Sequence, residues 1–138
     1  MAITLGAFVL PATMVWEDEF AWSPVAQTIE YGLTGSQIID EAVKQAGRPI
    51  TLIGQSDGNH HTGGIQRADL LTLRTTLYVV GAIHTLTLHD ARTFTVTSVH
   101  GGEGPITAVP LPVFGSIWPA NPQSTRWYLL RAIRLITV

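Results

Sequence analysis

The chain has 138 residues, of which 46% are apolar and 13% charged, and its formal net charge is −2. This length favours a single domain spanning residues 1–138, with a core that needs neither disulfides nor metals. The eight Lys and Arg residues are scattered, which argues against binding to a nucleic-acid backbone. The absence of cysteine excludes a disulfide framework, a thiolate metal site and a cysteine nucleophile.

The low charge also bears on the surface of the protein. A soluble domain usually has about 25% charged residues, so a chain with half that share favours a surface that is partly covered by partners. No run reaches the ~18 apolar residues of a membrane span. The short apolar run at residues 3–10 has no basic segment before it and meets Pro11, so a signal peptide is not predicted.

The N-terminal third of the chain alternates between strand and turn patterns. Residues 3–10 are predicted as a first strand, which Pro11 ends. Residues 11–24 alternate aromatics with acids before a Ser-Pro turn, and we predict an extended arm there. Residues 27–33 alternate as a strand does, with an apolar face formed by Ile29, Tyr31 and Leu33.

Turn residues then separate the next elements. Residues 34–36 are predicted as a turn, and residues 37–45 as either a short helix or an extended arm. Residues 49–53 form a compact predicted strand. Residues 55–64 are polar and rich in glycine, which predicts a long loop.

Residues 67–80 are the best helix candidate. Asp69 would lie in the first turn, where the helix dipole favours an acid, and Gly81 stands where a C-terminal glycine cap would. The apolar stripe at helical spacing consists of Leu70, Leu73, Leu77 and Val80.

The C-terminal part returns to strands. Threonine-rich runs at 85–88 and 93–97, separated by a short polar turn, predict a hairpin. Residues 105–122 contain five prolines, which predict a second extended arm along a surface. Residues 127–138 form a long closing strand that is either central in a sheet or covered by another subunit. The predicted fold is therefore mainly β: a small β-sandwich or β-barrel with one α-helix and extended arms.

Residues capable of catalysis or ligand binding are sparse. No serine is predicted as a nucleophile, and residues 17–19 are adjacent acids rather than a facing pair. His60 and His61 near Asp57 have some metal-ligand character, but a third ligand from elsewhere would be needed. We predict no enzyme activity, no cofactor and no functional metal.

The aromatic residues indicate either a core or an interface between subunits, and a carbohydrate site is the alternative. Trp16, Trp22 and Trp118 lie in segments flanked by prolines or acids, which favours the interface for these three. The residues predicted to form the subunit interface are Trp16, Phe20, Trp22, Trp118, Arg131 and Arg134.

As a whole, the chain resembles small tail-tip or distal tail proteins of long-tailed bacteriophages. The resemblance is carried by Trp-Glu-Asp-Glu-Phe-Ala-Trp-Ser-Pro-Val-Ala-Gln at 16–27 and by Gly-Arg-Pro-Ile-Thr-Leu at 47–52. It continues through the segment 70–77, the hairpin at 85–97 and the Arg-aliphatic alternation of the last strand. Ala91 stands where such a hairpin turn usually has glycine.

The resemblance implies a virion structural protein of the tail, assembled in the host cytoplasm. Such a protein would form a homo-oligomeric ring, sixfold or threefold, that joins the tail tube to the distal hub. Its partners would be its own copies and other tail proteins, with no membrane and no required contact with nucleic acid. The alternative is a standalone β-sandwich module that binds a glycan or a peptide.

Overall fold

The computed structural model describes residues 3–57, 60–111 and 126–138, and it confirms a mainly β, small sandwich-like fold with one helix. Within these residues, nine strands form one sheet, while two others form a separate ribbon. The strands are β1 (Ile3–Leu5), β2 (Phe8–Leu10), β3 (Val15–Trp16), β4 (Val25–Tyr31), β5 (Gln37–Val43), β6 (Pro49–Ile53), β7 (Gly64–Gln66), β8 (His84–Thr87), β9 (Thr93–Ser98), β10 (Ile106–Pro110) and β11 (Trp127–Thr137). The helix α1 covers Arg67–Leu77.

Strand β11 is the organising element of the large sheet. Along one side it pairs with β7 near its start and with β6 near its end. Along the other side it pairs with β10 and then with β9. The sheet continues from β9 through β8 and β1 to β2, and from β6 to β3. The closing strand is therefore central, which is one of the two environments predicted for it.

A β-bulge in β11 explains why its apolar residues do not simply alternate. Ala108 pairs with Leu130 and Thr107 pairs with Ala132, so Arg131 is an extra residue opposite β10. An extra residue bends the strand and re-aims the side chains that follow it. Leu130 and Ile133 therefore both reach the core, while the side chain of Arg131 is exposed.

The core is built from aliphatic side chains on both halves of the sheet and on α1. Burial of such residues is the main stabilising term, about 1.5–3 kcal/mol for each fully buried large side chain. Fully buried members include Ile3, Leu52, Leu73, Leu86 and Ile133. Within the described chain, these residues belong to one continuous cluster.

The helix is shorter than the sequence predicts. It ends at Leu77, and Tyr78 is its C-terminal cap residue. Leu73 and Leu77 are buried as expected and Leu70 packs against the core, but Val80 lies beyond the helix and is fully exposed. Gly81 does adopt a positive φ of 73°, yet it does so in the loop after the helix. β-branched residues near the end, which favour extended backbone, are the local reason for the earlier stop. This single helix of the described residues is also too short to cross a membrane.

The predicted first strand is two strands. Gly6 adopts a φ of 60°, and its N–H donates to the carbonyl of Thr85. The chain therefore turns back after three residues, and β1 and β2 pair with each other. The alternating apolar pattern did not show this break, because glycine inside a strand pattern is compatible with either a bulge or a turn.

Part of each predicted arm belongs to the large sheet where the structure describes it. In the segment 11–24, β3 pairs with β6 and the Met14 side chain is buried. In the segment 105–122, β10 pairs with β11 through Pro110, and residues 112–122 lie outside the described residues. Pro110 is compatible with this strand because it stands at the strand's end.

The β8–β9 hairpin is confirmed, and in its observed register Thr85 opposes Thr95. Its turn places Ala91 at a φ of 71°, the one positive φ of a non-glycine residue in the described chain. Arg92 closes the turn on Asp90 with a side-chain hydrogen bond of 2.6 Å. Desolvation opposes ionisation of the Asp90 carboxyl, but hydrogen bonds from Arg92 and its charge lower the pKa of this group below its usual value.

Candidate functional site

A serine and a histidine on the large sheet do come together, but they are not arranged for catalysis. Ser98 Oγ lies 3.1 Å from His100 Nε2. The same hydroxyl donates to the carbonyl of Leu77 at 2.7 Å. A hydroxyl has one hydrogen to donate, so the imidazole donates to Oγ and does not act as its base, as nucleophile activation would require.

The histidine loop is closed by its own aspartate. Asp57 Oδ1 accepts a hydrogen bond from the His60 N–H at 2.6 Å, and the His60 ring lies 3.4 Å from the other carboxylate oxygen. His61 forms an isolated bridge with Ser56. In the described ranges, no three histidine or acidic side chains are grouped so that they could hold a metal ion.

Two acids of the run 17–19 form contacts that hold neighbouring elements of the fold together. Asp18 accepts hydrogen bonds from the Trp16 indole at 2.7 Å and from the N–H and hydroxyl of Thr51. Glu19 forms a 2.8 Å ion pair with Arg92. These two carboxylates fasten segment 11–24 to β6 and to the β8–β9 turn, and they do not face each other across a cleft.

Trp16 is a core residue of the subunit, and its predicted role at a subunit interface stays a prediction. Its side chain is only 9% exposed and belongs to the core cluster. The ring is also covered, because the guanidinium carbons of Arg48 and Arg92 lie 4.5 Å and 5.5 Å from its centroid. Phe94 packs against it edge-on. Although a cavity of about 360 Å³ lies beside Trp16, the indole is not an open platform on which a sugar could stack.

The other predicted interface residues differ in environment. Phe20 is 93% exposed and Arg131 is exposed, so both are accessible to a neighbouring subunit. Arg134 is half-buried and bonded within the chain, to the Gly104 carbonyl, to Thr107 and to Glu103. Trp118 lies outside the described residues. The interface role of these residues stays a prediction.

The most distinctive surface of the described chain is the β4–β5 hairpin. Its two seven-residue strands pair only with each other, and every residue of both strands is exposed. The turn is closed by the Gly32 N–H, which donates to the Ser36 carbonyl at 2.7 Å, and Gly35 has a φ of 83°. At about 3.3 Å per residue, each strand is about 23 Å long.

One face of the hairpin is richer in large apolar side chains than the other, on which Ile38 is the large apolar residue. Residues opposite each other in an antiparallel pair share a face, so Val25 with Val43 and Ile29 with Ile39 lie on one side, together with Tyr31. Ile29 and Ile39 are about half exposed, and Val43 is 76% exposed. On its own, a two-stranded hairpin is marginal in water, so this apolar face favours a partner that covers it.

The charged residues of the hairpin are all acidic. Glu30, Asp40 and Glu41 are its charged residues, and it contains no Lys or Arg. Glu41 lies on the apolar face, where its carboxylate accepts a 2.6 Å hydrogen bond from Gln27. Glu30 and Asp40 lie on the opposite face.

The base of the hairpin is fixed to the body by aromatic and cationic side chains. The Lys44 ammonium lies 5.1 Å from the Trp22 ring, and Arg48 lies 5.6 Å from the same ring. The Lys44 N–H also donates to the Pro24 carbonyl at 2.8 Å. Trp22 is therefore a half-buried anchor at the base of the hairpin rather than a free surface residue.

The sequence predicts β4 and the turn after it. It does not predict the exposed surface that β4 forms with β5. The pattern predicts Ile29 and Tyr31 on the apolar face of a strand, and residues 37–45 as either a short helix or an extended arm. The β-branched residues Ile38, Ile39 and Val43 were the signal for a second strand. Two strands of equal length around a glycine-containing turn predict a hairpin, whereas its separation from the large sheet is seen only in the tertiary structure.

Comparison of the chain with protein-family models, with curated proteins and with solved structures finds no match.

Proposed function

We propose that this protein is a structural subunit of a bacteriophage tail tip or baseplate, and that it assembles into a ring joining the tail tube to the distal hub. The proposal that the protein assembles rests on the β4–β5 hairpin, whose apolar face has no partner in the described chain. The tail assignment rests on the sequence resemblance.

Three further observations support a role in assembly. The low charged fraction leaves a surface that is suited to being covered. Arg48 lies over Trp22 at the base of the hairpin and over Trp16 in the core, which links the hairpin to the body. The Ser98–His100 pair has hydrogen bonds that oppose nucleophile activation.

The mass of the purified protein in solution tests the assembly. We expect light scattering to give an oligomer, and electron microscopy to give a ring with threefold or sixfold repeat. Replacing Ile29 and Ile39 together by Ser should abolish the oligomer and leave the fold intact, since neither side chain belongs to the core. Thr28→Ser, on the opposite face, is the matched control.

A protein that remains a monomer at the highest soluble concentration, with its hairpin ordered, would contradict the proposed ring. The tail assignment has a separate test, since a tail-tip subunit should be present in purified virions at a copy number divisible by three. The alternative, a module that binds a glycan or a peptide, predicts instead a monomer whose tryptophan fluorescence responds to ligand.

A further inference from the structure

A second apolar surface lies on the body, between α1 and β10. This groove has a volume of about 290 Å³, and its lining includes Arg67, Leu71, Arg74, Tyr78 and Ile106. Leu71 is 43% exposed and Tyr78 is 45% exposed. We call this surface the α1–β10 groove.

The α1–β10 groove carries positive charge on its helical wall. Arg67 and Arg74 are seven residues apart, which places them two turns and about 10 Å apart along one face of the helix. In the described part of the chain, neither forms an ion pair with a carboxylate. Arg74 instead lies over the Tyr78 ring at 5.3 Å.

Resting on the proposed function, we infer that the α1–β10 groove of one subunit receives the apolar face of the β4–β5 hairpin of the next subunit. The two surfaces are complementary in character, since each combines exposed apolar side chains with charges of one sign. The hairpin contributes acids alone, and the groove contributes Arg67 and Arg74. Glu41 is the acid on the face that would enter the groove, so it is the hairpin residue placed to meet Arg67 or Arg74.

The hairpin does not occupy the groove of its own subunit. Its two strands pair only with each other and every residue of them is exposed, and the groove lining contains no residue of the hairpin. The proposed contact is therefore made with the groove of a neighbouring subunit.

Such a contact joins different surfaces of the two subunits. Head-to-tail contacts of this kind generate closed rings or open filaments rather than twofold dimers. In the proposed ring, the hairpin of each subunit is the donor element and the groove of its neighbour is the acceptor site.

The lack of native cysteine allows a direct test by disulfide mapping in the full chain. Ile39→Cys places a thiol on the hairpin face, and Leu71→Cys places one in the groove. When the two variants are mixed under mild oxidation, we expect a cross-linked dimer containing one of each. The double variant should cross-link into a closed ring whose mass gives the number of subunits. Val9→Cys, on the exposed part of β2, should not cross-link with Ile39→Cys.

Charge exchange supplies a second readout. Arg74→Glu should weaken association about tenfold or more, and adding Glu41→Arg to the partner should restore it. Asp69→Arg, a charge reversal at an exposed residue of the same helix outside the groove lining, should change association little. If the native protein forms a ring but Ile39→Cys cross-links only to itself and Arg74→Glu has no effect, the groove assignment is overturned and the ring stands. If the native protein forms no oligomer, the proposed function itself fails, and the docking with it.

Discussion

The guanidinium carbon of Arg48 lies 4.5 Å from the centroid of the Trp16 ring. The same group lies 5.6 Å from Trp22 and 5.8 Å from Phe94, and it donates to the Glu19 carbonyl at 2.9 Å. One cation thereby joins the docked segment 11–24 to the β8–β9 hairpin and to the base of the β4–β5 hairpin. The Arg48 Nε is buried and has no hydrogen-bond partner in the described chain, so aromatic faces supply much of its stabilisation.

Replacing Arg48 by Lys should destabilise the protein although the charge is kept. A lysine ammonium cannot stack on the rings as the planar guanidinium does, and we expect a loss of about 1–2 kcal/mol in the free energy of unfolding. Urea denaturation followed by tryptophan fluorescence measures this loss. Arg131→Lys is the control and should change stability by less than about 0.5 kcal/mol. Equal effects of the two variants would show that the ring contacts of Arg48 contribute nothing.

The two tryptophans Trp16 and Trp22 should respond differently to truncation. Trp16→Ala removes a core side chain and should cost about 3–5 kcal/mol of stability. Trp22→Ala removes the half-buried anchor of the hairpin, so we expect assembly to suffer more than folding. Denaturation and light scattering on the same samples separate the two effects. If Trp22→Ala lowers stability as much as Trp16→Ala does, Trp22 belongs to the core.

The turn of the β8–β9 hairpin offers a stabilising substitution. Ala91 has a φ of 71°, a region that costs an L-residue about 1–2 kcal/mol and costs glycine almost nothing. Ala91→Gly also increases the freedom of the unfolded chain, so we expect a net gain of about 0.5–1 kcal/mol.

The exposed Ala7, in the turn between β1 and β2, is a matched control because its φ is not positive. Ala7→Gly should lower stability slightly. Thermal unfolding of the two variants measures both effects, and a loss of stability in Ala91→Gly would contradict the strain assigned to that turn.

Arg134 should stabilise the fold mainly through neutral acceptors rather than through its ion pair. Its hydrogen bonds to the Gly104 carbonyl and to Thr107 are part-buried, whereas its partner Glu103 is largely exposed. We therefore expect Glu103→Gln to cost less than about 0.5 kcal/mol and Arg134→Met about 1–3 kcal/mol. Denaturant unfolding distinguishes the two, and a loss from Glu103→Gln as large as that from Arg134→Met would assign the effect to the ion pair.

Local patterns in the sequence determined much of the secondary structure. Alternating apolar residues predicted β6 and the β8–β9 hairpin, and glycine with polar residues predicted the turn between β4 and β5. These signals come from neighbouring residues, since strand alternation and turn conformation depend on nearby backbone and side chains. The sequence was less informative about β1 and β2, because a single glycine does not say whether a strand bends or reverses.

Only the tertiary structure decided which strands build the core and which stand free. Ile50 and Leu52 on β6 alternate just as Ile29 and Tyr31 do on β4, yet the first pair is buried and the second is exposed. The difference lies in the neighbours, since β6 is flanked by β11 and β3 whereas β4 has only β5. Burial requires partners that are distant in sequence, and a local pattern carries no information about them. The sequence alone determined a mainly β chain with few charges; the tertiary structure decided that an acidic, apolar hairpin projects from it.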